Sequence, residues 1–139
     1  MSLSQTKVVD YTVKWLEDQG WDIIYAHYPE GHHISTEYGR LKIIHRKFVD
    51  IVAKKGKCLF LIQCNARFKL QYLEKLKKIN KEHVRNIEFE ILVKGIAFHK
   101  TPSTQDIVKS LEENCLLLEV KGEDLIKMYG IIPTECLGA

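Results

Sequence analysis

"FVDIVAKKGKCLFLIQCNARFK", residues 48–69, is the stretch whose reading decides the fold. Two apolar runs flank a short basic segment in which Gly56 permits a tight turn, so Leu41–Ala53 and Cys58–Cys64 read as adjacent antiparallel strands. Asp50 interrupts the first strand. A buried carboxylate must be paired, hydrogen-bonded or metal-bound to offset its desolvation. Gln63 and Asn65 end the second strand. Closing the hairpin with Lys55 and Gly56 as its two-residue loop sets Lys54 opposite Lys57 and Asp50 opposite Leu61. Side chains alternate along a strand, so this register puts Asp50, Lys54, Gln63 and Asn65 on one face, and a one-residue slip would part Asp50 from Gln63.

Outward from the hairpin, the chain alternates helical and strand periodicity. Gln5–Gln19 reads as a helix capped by Ser4 and stopped by Gly20, and Trp21–Tyr28 as a strand. "PEGHHISTEYG" reads as a polar loop. After Lys69 a helix presents Tyr72, Leu73, Leu76, Ile79 and His83 on one side and Lys75, Lys77, Lys78 and Lys81 on the other. A strand over Ile87–Val93 with a continuation past Gly95 through "IAFH", a short helix capped by Thr104, a strand over Cys115–Val120 and a closing helix over Glu123–Tyr129 complete the order. The Gly56 turn makes an antiparallel pair, and the helix after Cys64 is the crossover a parallel pair needs. The expected fold is a single α/β domain, a mixed sheet flanked by helices.

Charge is concentrated rather than large. From Arg40 to Lys81 there are 13 basic residues and 2 acids, a local balance of +11, within a chain whose net charge is +3. Such asymmetry fits a polyanionic partner, although solvated lysine faces give similar counts. The longest apolar run, Cys58–Ile62, is far shorter than the roughly 20 residues of a membrane span. A cytoplasmic protein with no membrane partner is the expectation. Its cysteines, Cys58, Cys64, Cys115 and Cys136, carry no zinc or disulfide spacing, so reduced thiols are expected.

Asp50 admits two chemical readings. In one, Arg46, Lys47 or a backbone donor satisfies the carboxylate. In the other, Asp50, the Gln63 side-chain oxygen and a backbone carbonyl near Cys64 bind Mg²⁺, which takes few protein ligands and keeps several waters.

The same residues carry a resemblance. "FVDIVAKKGKCLFLIQCNARFK" is similar to the core of the PD-(D/E)XK, or restriction endonuclease-like, nuclease superfamily, in particular to Holliday-junction resolvase and Mrr-type endonuclease domains. There an Asp on one strand precedes a basic hairpin and an apolar strand ending in (D/E/Q)-x-K. The resemblance implies a restriction endonuclease-like mixed sheet, with Asp50 and Gln63 as Mg²⁺ ligands, Cys64 as donor of a backbone carbonyl, and Glu17 as the acid some members add on the first helix. Asn65 stands where the family keeps its lysine. Lys54, Arg67 and Lys69 are the cations proposed to replace that lysine. The implied partner is DNA, branched forms included, contacted by Arg46, Lys47, Arg67, Lys69, Lys75 and Lys78, and resolvase-like relatives pair as homodimers. A metal-dependent DNA endonuclease and a catalytically inactive nuclease-fold module for nucleic-acid or protein binding are the two functional expectations.

His32 and His33 read as solvated loop residues, His27 as a packing residue and His45 as a phosphate contact. Trp15 and Trp21 read as packing residues at the end of the first helix.

Overall fold

The structure is a computed structural model that describes residues 3–27, 33–35, 49–84 and 87–137. Ser4 accepts from the Lys7 N–H at 3.2 Å and starts helix α1, Gln5–Asp18. Gly20, at φ +90°, ends it with a conformation other residues rarely adopt. Strands β1 (Asp22–His27), β2 (His33–Ser35), β3 (Ile51–Lys55) and β4 (Cys58–Cys64) follow. Then come α2 (Leu70–Lys77), β5 (Ile91–Phe98), α3 (Thr104–Glu112), β6 (Cys115–Gly122) and β7 (Leu125–Tyr129).

These strands form one mixed seven-stranded sheet in the order β2-β1-β3-β4-β5-β6-β7. β4, β5 and β6 run parallel, joined through α2 and α3, while the remaining pairs are antiparallel. Every residue of β4 is buried, because both faces of this central strand are covered. Cys58, Phe60, Ile62 and Cys64 pack toward α1, with Val8, Val9, Val13 and Leu16. Leu59 and Leu61 pack the other way, against Leu73 and Leu76 of α2, and alternation sends Gln63 to that α2 side. The α/β class and the helix-flanked mixed sheet are therefore as the periodicity implies. Trp21 packs against Phe60 in a tilted arrangement with ring centroids 5.3 Å apart, and Trp15 packs at the rim of that core.

Several expectations are corrected. The hairpin loop is Gly56–Lys57, since Lys55 pairs with Cys58. Gly56 sits at φ +56°, as the first central position of a type II′ turn demands. Moving the turn by one residue moves each cross-strand partner by two, which preserves the faces. α2 ends at Lys77, and a single 3-10 turn at Lys81–His83 follows, capped by Asn80 and His83. β5 begins four residues later than Ile87, where it finds backbone partners in β4, and it continues past Gly95 to Phe98 as expected. Ser103 rather than Thr104 caps α3, accepting from the Asp106 N–H at 3.1 Å.

Glu123–Tyr129 is not a helix. β6 extends to Gly122 and turns back into β7, where pairing to β6 offsets the ordering cost that a helix of about seven residues cannot meet alone. His33 belongs to β2, whose backbone pairs with β1, rather than to a plain loop. His32, His45 and residues 41–48 of the long strand expected before Ala53 lie outside the described residues.

Cys58 and Cys136 form a disulfide, S–S 2.06 Å with Cα atoms 5.6 Å apart, so the reduced-thiol expectation is wrong for this pair. Nothing in a 78-residue separation signals it. Cys64 and Cys115 are free and buried, as small hydrophobes. Among the described residues no helix is long and apolar enough to cross a membrane.

Candidate functional site

The carboxyl end of β4 brings Asp50, Gln63, Cys64 and Asn65 together. The Cys64 N–H donates to Asp50 Oδ2 at 2.8 Å, so the carboxylate is anchored on the peptide that joins Gln63 to Cys64. Simple alternation does not produce this contact. β3 pairs regularly from Lys55↔Cys58 to Ile51↔Ile62, but the Asp50 N–H donates to the Ile62 carbonyl at 2.9 Å, one residue out of register. Such an offset kinks the strand and re-aims a side chain. On its other edge Asp50 stays in the ladder, its carbonyl accepting from the His27 N–H at 2.7 Å.

Asp50 is 6% exposed and Gln63 8%. Burial pushes the Asp50 carboxyl up to about 6, against the Cys64 N–H, which favours the charged form. Gln63 Oε1 is buried without a hydrogen-bond partner among the described residues, a costly state for an amide oxygen. A hard cation would take both oxygens, so the donor chemistry fits Mg²⁺. The Cys64 carbonyl already accepts from Gln5 Nε2 at 3.1 Å, which leaves it one lone pair for a metal. Cys64 contributes no thiolate, since burial and the Asp50 charge hold its thiol well above the ordinary value.

Asn65 continues the alternation of β4 toward α2. Its Oδ1 accepts from the Ala66 N–H at 2.9 Å and its Nδ2 donates to Tyr72 Oη at 2.5 Å, so backbone and phenol fix the amide from both ends. The loops after β4 and β5 are tied by His99 N–H to the Ala66 carbonyl, 3.1 Å. Both therefore line the carboxyl ends of the parallel strands, where open α/β sheets place their ligands.

Two predicted catalytic residues are not part of this cluster. Glu17 is exposed near the far end of α1, twelve residues from Gln5, or about 18 Å along the helix. Lys54 shares the α2 face but lies about 13 Å along the strand from Asp50. Its Nζ is folded onto the turn, donating to the Gly56 carbonyl at 2.7 Å.

Of the expected phosphate contacts, Arg46 and Lys47 lie outside the described residues. Arg67 and Lys69 are exposed in the loop between Asn65 and α2. Lys75 stands over the Tyr72 ring, 6.0 Å from its centroid. Lys78 is exposed beyond the opposite end of α2, about 13 Å from Lys69 at the helical rise. Lys77 spends its charge on Glu74 and Glu113, at 3.7 and 3.3 Å.

The sequence reading missed three residues. Gln5 looked like an ordinary first helical residue, and Tyr72 like a member of the packing stripe of α2. Glu119, inside the apolar "CLLLEV", is 3% exposed and held by Thr101 Oγ1 at 3.0 Å and Tyr129 Oη at 2.8 Å. A lone acid in an apolar strand signals burial, but its hydroxyl partners are 18 and 10 residues away. No family model, curated protein or solved structure matches the chain.

Proposed function

We propose that the chain is a DNA-binding protein of the PD-(D/E)XK nuclease-like class, a Mg²⁺-dependent endonuclease with a reduced active site. One observation carries this reading: the buried Asp50 carboxylate is anchored at the Gln63–Cys64 peptide, and Gln63 Oε1 lacks a partner among the described residues. Asp50 and Gln63 would hold the ion, with the Cys64 carbonyl as a third oxygen. When bound, the ion supplies an acidified water and neutralises charge building on the phosphate.

The chain's own groups do the rest. Cys64 N–H fixes the carboxylate, and Gln5 fixes the Cys64 carbonyl. Arg67 and Lys69 offer positive charge beside the cluster for the DNA backbone, an attraction that salt should weaken. Pairing into a homodimer rests on the resemblance alone. A cytoplasmic setting requires that the Cys58–Cys136 bond, between residues 0% and 1% exposed, resist the thiol pool.

A second reading, an inactive module that binds nucleic acid or an acidic protein through the same basic residues, is favoured by Asn65. That amide is committed to Ala66 and Tyr72 and puts no cation at the strand end. Cleavage of linear, branched and nicked DNA in Mg²⁺ and Mn²⁺, by wild type and by Asp50→Ala, separates the two. Cleavage lost in Asp50→Ala supports the enzyme. Equal background from both proteins, with DNA binding that survives Asp50→Ala, supports the module. No binding at low salt removes both nucleic-acid readings.

A further inference from the structure

Hydrolysis of a phosphodiester needs a donor aimed at the oxygens on which charge builds. Lys54 and Lys69, two of the cations expected to stand in for the missing lysine, do not occupy that place. Lys54 is folded onto its turn, and Lys69 is exposed at the start of α2. Tyr72 is different. It sits in the first turn of α2, packed against the core on the Gln63 side of the sheet, and its hydroxyl reaches the strand end.

We infer that Tyr72 is a catalytic residue of the proposed site, its phenol donating a hydrogen bond to the non-bridging phosphate oxygen in place of an ammonium group. This rests on the nuclease reading above. Three features support it. First, Tyr72 Oη is the acceptor from Asn65 Nδ2, and Asn65 cannot reverse its amide without losing the Ala66 N–H, so the phenol proton is not used in that bond. Second, the Tyr72 ring packs against the core on the α2 side of the sheet, the side to which Gln63 points, and this packing holds the hydroxyl at the end of β4. Third, Lys75 stands over the Tyr72 ring and brings positive charge from the helix rather than from the strand.

In the reaction the oxygen of water bonds to phosphorus, and the P–O bond to the leaving ester oxygen breaks with its electron pair. That oxygen takes a proton from solvent as the attacking water releases one. Tyr72 neither gains nor loses a proton; it stabilises the charge between these events.

The test is single-turnover cleavage of synthetic linear, nicked and four-way DNA in Mg²⁺ and Mn²⁺. Tyr72→Phe should lose about 100-fold in metal-dependent rate while DNA affinity is retained. The double variant Asn65→Lys with Tyr72→Phe, which returns a cation to the same strand end, should recover most of the loss. A purely structural tyrosine would not be rescued in this way. Tyr72→Phe cleaving at the wild-type rate, or a loss that Asn65→Lys leaves unrepaired, overturns this inference alone. Wild type no faster than Asp50→Ala overturns both it and the nuclease reading. Should Tyr72→Phe fail to fold, Asn65→Ala, which withdraws the amide holding the phenol, takes its place. It should slow cleavage about tenfold through misplacement of the donor, and an unchanged rate overturns the inference.

Discussion

Replacing Asp50 with Asn removes one buried charge and little else. The carboxyl ordinarily titrates at 3.8 and in the fold at about 6, so the fold holds the proton more tightly than the unfolded chain does. A raised carboxyl value means that stability from this group is full below 3.8 and is lost as pH rises through 6. A difference of about two units, at 1.36 kcal/mol each, amounts to about 3 kcal/mol. Asp50→Asn keeps an oxygen for the Cys64 N–H.

Urea unfolding of both proteins from pH 4 to pH 8, without divalent ions, isolates this term because all other groups are shared. The two proteins should be nearly equal at pH 4, and Asp50→Asn should be more stable by about 3 kcal/mol at pH 8. Mg²⁺ should then close the gap by stabilising only the wild type, by about 2.7 kcal/mol at a hundredfold excess over its dissociation constant. A pH-independent difference, or an Asp50→Asn protein less stable at pH 8, would refute the reasoning.

Cys136→Ser, or reduction of the protein, should cost about 4 kcal/mol in urea unfolding, because the bond closes a 78-residue loop. Gly95→Ala should lower stability by about 1–3 kcal/mol in the same assay. Its new Cβ would stand 2.9 Å from Phe60 Cε1, on a ring already packed against Trp21. Tyr129→Phe strips the donor from a buried oxygen of Glu119 and should cost about 1–3 kcal/mol, read as a lower thermal midpoint. Arg67→Ala with Lys69→Ala should weaken DNA binding and flatten its dependence on salt by about two charges, and an unchanged slope would remove these residues from the interface.

Where the sequence encodes structure locally, the reading holds. Cys58–Cys64 is a bounded apolar run after a glycine turn, and Ser4 and Gly20 mark the ends of α1. Where pairing chooses among equivalent patterns, it does not. Ile87, Phe89 and Ile91 alternate as well as the true β5, but only the segment from Ile91 finds Cys58 and its neighbours as partners. Leu125, Met128 and Tyr129 fit a helix as well as a strand, until the turn at Glu123 and Asp124 folds them onto β6. The candidate site was legible at Asp50, Gln63 and Asn65, which interrupt or end apolar strands. Gln5 and Tyr72 were not, because their contacts reach 59 and 7 residues along the chain and their spacing is that of ordinary helix positions.

The Cys58–Cys136 bond also decides how the protein would behave under tension. It makes a covalent ring of β4 through β7, with α1 and the first three strands outside it. Stretched between Met1 and Ala139, the oxidised segment pays out the roughly 60 residues outside the ring, about 200 Å, against nearly 500 Å when reduced. Force would peel β3 from β4 and expose Asp50 while the parallel strands stay shielded, so a stretched molecule would lose its carboxylate before its central core.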